Sequence, residues 1–143
     1  MIWDSLKYFT KNEKWGDPDK MNPALLLLLD RLRETIGKPF VIHCGYESDG
    51  HSTASQHYKG NAVDFHIEGL PLTEANRLLL AALHTIQIAG RQAHEVCGLG
   101  IYPDWNNPGF HLDVRGYSAR WGAVKKEGKQ VYISYNEALK KVA

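Results

Sequence analysis

The sequence predicts an α+β fold, built on a small and mainly antiparallel sheet with flanking helices. Three observations carry that expectation. Helix-like and strand-like runs are interleaved along the chain, without the regular strand–helix–strand alternation of a parallel sheet. Two runs, Ala62-Val63-Asp64-Phe65-His66-Ile67 and Gly109 to Val114, alternate a polar face with an apolar one, as strands do when only one side meets a core. At 143 residues, with 43% hydrophobic and 23% charged residues, the chain has the size and composition of one globular domain. Neither a repeat nor a linker divides it, so residues 1–143 are read as one unit: an arm over 1–20, a core over 21–117, and a C-terminal strand and helix over 118–143.

The elements follow in order. Trp3, Phe9 and Trp15, spaced among polar groups, mark an arm that packs over the core. Asn22 before Pro23 is a helix start, a capping side chain followed by a proline at the first helical position. That helix runs through Leu32 and Arg33 to Gly37, and Pro39 enforces the break. Phe40-Val41-Ile42-His43-Cys44 reads as a buried strand. Residues 45–59 form a loop rich in glycine and serine, with an Asp49-Gly50 dipeptide. After the second strand, Thr73 opens a helix expected from Glu74 to about Ala89, with Leu78, Leu79, Ala82 and Ile86 as its apolar stripe. Residues 96–102 and 109–114 are two further strands, joined by the turn-rich stretch 103–108. A short strand near Val131-Tyr132-Ile133 precedes Ser134-Tyr135-Asn136-Glu137, the capping box of a last helix.

Composition narrows the function classes. A formal net charge of +1 gives no long-range field for nucleic acid. Leu25 to Leu29 is too short to span a bilayer, so no membrane insertion is expected. The start of the chain lacks the basic and apolar regions of a signal peptide, so synthesis in the cytoplasm is expected. Cys44 and Cys97 are expected to be free thiols, and the chain a monomer.

Strand parity decides which side chains share a site. Ala62, Asp64 and His66 face one way, and Val63, Phe65 and Ile67 the other; His111, Asp113 and Arg115 share a face opposite Phe110, Leu112 and Val114. Taken singly, Asp64 or His111 reads as a solvent-side residue of a half-exposed sheet. With His57 entering from the preceding loop, beside the small Gly60 and Ala62, the same residues make two imidazoles and one carboxylate. That is the donor set of an open zinc site, which keeps a fourth position for water.

The stretch Ser55-x-His57-x-x-Gly60-x-Ala62-x-Asp64, with Phe110-His111-Leu112-Asp113 downstream, resembles the S-x-H-x-x-G-x-A-x-D signature of the peptidase M15 family. These are zinc D-alanyl-D-alanine peptidases and peptidoglycan endopeptidases that share a fold with the hedgehog signalling domain. The similarity runs from about Phe9 to Arg115 and is nearest to the compact bacterial and phage-encoded members. It implies His57, Asp64 and His111 as zinc ligands, a peptidoglycan peptide as substrate, and action on the cell wall after lysis or from a phage particle. It leaves Ser55 either beside the ligands or substrate, or as a turn-forming serine.

Two departures from the family pattern matter. Many relatives carry a general base three residues before the last ligand, where this chain has Pro108. Asp113 is the first replacement considered and Asp104 the second, followed by His66 and Glu95. Asp113 has a rival role as an acceptor that orients a histidine or pairs with Arg115. Many relatives also carry Tyr-Arg where this chain has Tyr46-Glu47, which favours an endopeptidase over a carboxypeptidase. Arg115, His43 and Trp105 are further candidates for substrate contact, and His51 is read as a surface residue of its loop within reach of substrate. Two other classes compete. An Fe(II) oxygenase built on His111-x-Asp113 would need a later histidine, and none follows. A zinc-stabilised binding or structural module of a phage tail or cell-wall assembly would keep the ligands without the base.

Overall fold

The computed structural model describes residues 1–51 and 54–142; Ser52 and Thr53, inside the expected 45–59 loop, and the terminal Ala143 lie outside the described residues. In the arm, short 3₁₀ turns at Ile2–Ser5 and Pro18–Lys20 flank a segment that sinks Phe9 and Trp15 into the core. The arm is pinned by Asp30, whose carboxylate accepts from the Lys7 N–H at 3.1 Å and the Tyr8 N–H at 2.9 Å. Helix α1 spans Pro23–Ile36, with Asn22 Oδ1 accepting from Ala24 N–H and Gly37 closing it in the left-handed region.

Strands β1 (Phe40–Cys44) and β2 (Ala62–Ile67) follow, then helix α2 (Leu72–Leu83). This helix is shorter than the periodicity predicts, and Pro71 rather than Thr73 caps it. The Thr85 hydroxyl donates to the Ala82 carbonyl, and Ala89 and Gly90 both take positive φ. Positive φ at both central residues makes the two-residue turn of a hairpin between β3 (Gln87–Ile88) and β4 (Arg91–Gln92), which ends the helical stripe early. A single-turn α3 (Ala93–Val96) takes up the start of the expected third strand, leaving β5 as Gly98–Tyr102 and β6 as Gly109–Asp113. Two strands, β7 (Ala119–Lys126) and β8 (Lys129–Ile133), stand where the sequence suggests one short strand. Helix α4 (Tyr135–Val142) begins as expected, with Ser134 Oγ accepting from the Glu137 N–H.

The main sheet has the order β1-β2-β6-β5-β7-β8 and is antiparallel except for the parallel pair β5–β7. One face is the core, where Val63, Phe65, Phe110, Leu112, Leu99 and Ile101 meet the leucines of α1 and Leu79 and Leu83 of α2. Burying side chains of this size stabilises by about 1.5–3 kcal/mol each. The other face carries the polar residues, as parity predicts. Cross-strand register sets Asp64 opposite His111, His111 opposite Gly100, and Gly100 opposite Trp121.

The 3₁₀ turn Gln56–Lys59 precedes β2 and ends at Gly60, with φ of 70°. The room Gly60 keeps is not beside the site, as the sequence suggests, but against the backbone carbonyl of Lys20, which an added Cβ would strike. Gly60→Ala is therefore expected to cost about 2 kcal/mol or more from combined φ strain and overlap, read as a lower urea midpoint at unchanged slope.

Candidate metal centre

Local structure aims each of the three site residues. Ser55 caps the 3₁₀ turn, its Oγ accepting from the His57 N–H, so its turn role is realised while it also lines the cleft. The turn seats His57 in the interior, with its Nδ1 donating to the Gly45 carbonyl at 2.7 Å. A ring nitrogen facing a carbonyl must carry the proton, so Nε2 is left with its lone pair. That nitrogen lies 3.3 Å from Asp64 Oδ1. On β6, His111 donates Nε2–H to Asp113 Oδ2 at 2.7 Å and turns Nδ1 to the same Asp64 oxygen at 3.1 Å. Tetrahedral zinc with ligand bonds of about 2.0–2.2 Å would set such donors about 3.3 Å apart. His57, Asp64 and His111 thus form a group that can hold a metal ion, and the donor chemistry fits one.

Charge around the group favours a cation. Burial opposes ionisation of Asp64, but the His111 and His57 imidazoles packed against it hold its carboxyl well below the usual range. Burial also opposes protonation of His111, yet the Asp113 and Asp64 carboxylates carry its imidazole above the ordinary value. The potential that draws a second proton onto that ring also draws a metal ion.

Asp113 is fully buried and fully engaged. Its Oδ1 accepts from the N–H groups of Gly98 and Arg115 and from Arg115 Nε at 2.8 Å; its Oδ2 accepts from His111 and from Arg115 Nη2 at 2.7 Å. Burial pushes this carboxyl upward, but Arg115 and His111 outweigh it and hold the group ionised. Asp113 thus has the geometry of its rival role, an acceptor that orients the His111 ring and pairs with Arg115. Space for it comes from β5, because a Cβ at Gly98 would sit 2.6 Å from Asp113 Oδ1 and 2.5 Å from Arg115 Nε.

Asp104, the second candidate, is engaged elsewhere. Its Oδ2 accepts from the Lys125 N–H and the Lys141 ammonium, outside the described lining of the cleft. His66 hydrogen-bonds to His43 at 2.6 Å and to Glu68 at 2.8 Å, forming a chain on the β1–β2 edge. Glu95 lies beside His94, away from the group.

The three residues open onto a cleft of about 920 Å³. Tyr102, Trp105, Tyr117, Trp121 and Tyr132 form an aromatic wall, in which Trp105 stacks on Tyr102 at 4.2 Å and Trp121 donates to the Tyr102 hydroxyl. The Arg115 guanidinium lies 4.9 Å from the Trp121 ring centre. Trp105 and His43 meet in an adjoining hollow with Glu47, His51 and Asp64.

What sequence reasoning missed at His51 is its packing against the candidate ligand His57. His51 is not a free surface group: its ring stacks on His57 at 4.3 Å, and its backbone is clamped by the Tyr58 hydroxyl. Cys44 joins it through a register shift in β1 that sets Cys44 opposite Asp64. Both cysteines are free thiols, as expected. No helix among the described residues is long and apolar enough to cross a membrane. Searches against protein-family models, curated proteins and solved structures find no match to this chain.

Asp113→Asn removes the charge that answers Arg115 and is expected to cost about 3 kcal/mol at pH 7, read by urea unfolding. The native carboxyl is depressed, so its stabilisation is full above the unfolded value of about 3.9 and is lost as pH falls below it; the variant should lack that acid limb. Metal affinity is expected to drop about 10–100-fold, measured by competition with a chromogenic chelator.

Proposed function

We propose that this chain is a zinc-dependent peptidase that hydrolyses peptide bonds in the stem peptides or cross-links of bacterial peptidoglycan. The observation that carries the reading is the convergence of His57 Nε2, His111 Nδ1 and a single Asp64 oxygen at the floor of an open cleft. The substrate class rests on the resemblance of Ser55 to Asp64 and of His111 to the peptidase M15 signature. When bound, zinc supplies Lewis acidity and a water that ionises near neutral pH.

The chain's own residues supply the rest. Asp113 and Gly45 fix the ring tautomers of His111 and His57, so both lone pairs point to one place. The aromatic wall holds the substrate and excludes water from one side of the cleft. Among the described residues lining that cleft, Asp64 is the only carboxylate, so proton transfer from water falls to an imidazole. His51 is the lining histidine outside the ligand set. Burial, then the neighbouring His57, lowers its imidazole from the ordinary value, so it is proton-free at pH 7 and able to accept. Arg115 is already paired with Asp113, and Glu47 places a negative charge at the rim 3.9 Å from His51. Both favour an internal peptide bond over a terminal carboxylate.

A second reading, a zinc-stabilised wall-binding or phage structural module, draws its support from Pro108 and from the engagement of Asp113. Mass analysis of muropeptides after incubation with zinc-loaded protein separates the two. The peptidase reading expects new peptide fragments and their loss, together with zinc, in His57→Ala; intact muropeptides sink it.

His51→Ala is expected to lower kcat about 100-fold or more while one equivalent of zinc is retained. In the unaltered chain the acid limb of kcat/KM should lie below the ordinary histidine value of about 6.5, since a lowered base stays proton-free further into acid. A limb that persists unchanged in His51→Ala removes His51 from the role.

A further inference from the structure

We propose a second metal site, formed by Cys44 Sγ, His51 Nε2 and His57 Nδ1, that takes a thiophilic divalent cation and shares the His57 ring with the first centre. The three residues lie close enough to hold one ion. Cys44 Sγ is 3.4 Å from His57 Nδ1 and 4.0 Å from His51 Nε2. A tetrahedral ion with a sulfur bond of about 2.3 Å and nitrogen bonds of about 2.0 Å would set sulfur and nitrogen about 3.5 Å apart. A thiolate beside two imidazoles is a soft donor set, unlike the oxygen-containing group on the other nitrogen of His57.

The residues are built into place. The Tyr58 hydroxyl accepts from the His51 N–H at 2.9 Å and donates to the His51 carbonyl at 2.6 Å, fixing that point of an otherwise glycine- and serine-rich loop. The His51 and His57 rings stack face to face, 13° from parallel with centres 4.3 Å apart, so loading requires the His51 ring to rotate until its Nε2 lone pair meets the ion. The register shift in β1 turns Cys44 to the polar face of the sheet, and the thiol is half-buried there. Glu47 Oε1, 3.9 Å from His51 Nε2, stands near the fourth position.

Loading has a defined proton balance. The ion displaces the Cys44 S–H proton to solvent. When the first centre already holds Nε2, the ion also displaces the His57 Nδ1–H proton that now goes to Gly45, and the ring bridges two cations as imidazolate. The site does not depend on the peptidase reading, because it follows from the donors alone.

Cobalt titration of the metal-stripped full chain tests it. The expected result is a thiolate-to-cobalt charge-transfer band in the near ultraviolet, kept in His111→Ala, lost in Cys44→Ser and lost or sharply reduced in His51→Ala. Cobalt bound without that band, or a band that survives Cys44→Ser, overturns the site. Without any substitution, cadmium added beyond the first equivalent should abolish alkylation of Cys44; an unchanged alkylation rate overturns the site too. Muropeptide cleavage is assayed separately with a single equivalent of zinc, so that His51 stays free of the second ion: absence of cleavage there sinks the peptidase reading alone, and absence of the cobalt band sinks the second site alone.

Discussion

The Asp113 carboxylate is the constraint on which the polar half of this molecule depends. It lies on a central strand with no exposure, and a bare charge there would cost several kcal/mol. The structure satisfies it from three directions: the β5 backbone at Gly98, the bidentate Arg115 guanidinium, and His111 Nε2. That arrangement also dictates the rest of the site. Once His111 donates its Nε2–H in a hydrogen bond to Asp113, its other nitrogen faces Asp64 across the β2–β6 pair. The glycine spacing of β5 follows from the same demand. Gly98 makes room for the carboxylate and guanidinium, and Gly100 makes room for the Trp121 ring, which a Cβ would approach to 2.6 Å.

What the sequence reveals of this site is what depends on strand parity. Asp64 and His111 fall on one face because their strands alternate, and neighbouring strands then bring them together without further information. Parity also places Asp113 and Arg115 on that face, but not how deep they lie. Depth depends on β6 lying between β2 and β5, with the Gly98 backbone and the Arg115 side chain closed over the carboxylate; β7, paired parallel to β5, extends the sheet beyond them. Residues 119–126 give little periodic signal, because Gly122 and Ala123 stand where larger side chains would mark a strand; Gly122 is small to admit Ala138 of α4. The contact that makes β7 necessary lies distant in sequence, so local reading passes over it.

His51 and Cys44 escaped for a different reason. Each owes its position to an irregularity: a register shift in β1 for Cys44, and a tyrosine hydroxyl closing on a loop backbone for His51. Neither has a periodicity. The one available signal was Tyr58 itself, an aromatic residue with a hydroxyl inside a run of small polar residues, where a buried hydrogen bond is the commonest reason for its presence. The overlong second helix failed in a related way, since Ala89 gives no hint in isolation that it will accept positive φ.

The two nitrogens of His57 bring these strands of reasoning together. Nε2 is committed to a hard, oxygen-bearing partner and Nδ1 to a carbonyl with a thiol just beyond it. The Gly45 carbonyl is therefore more than a passive acceptor: by accepting from Nδ1–H it selects the ring tautomer and turns the Nε2 lone pair to the cleft. Any group that captures Nδ1 instead must remove that proton and change what the first centre feels, because one ring transmits charge to both sides. The geometry thus couples a catalytic-type donor set to a soft one through a single imidazole, and the strength of that coupling is set by how firmly Gly45 holds one proton.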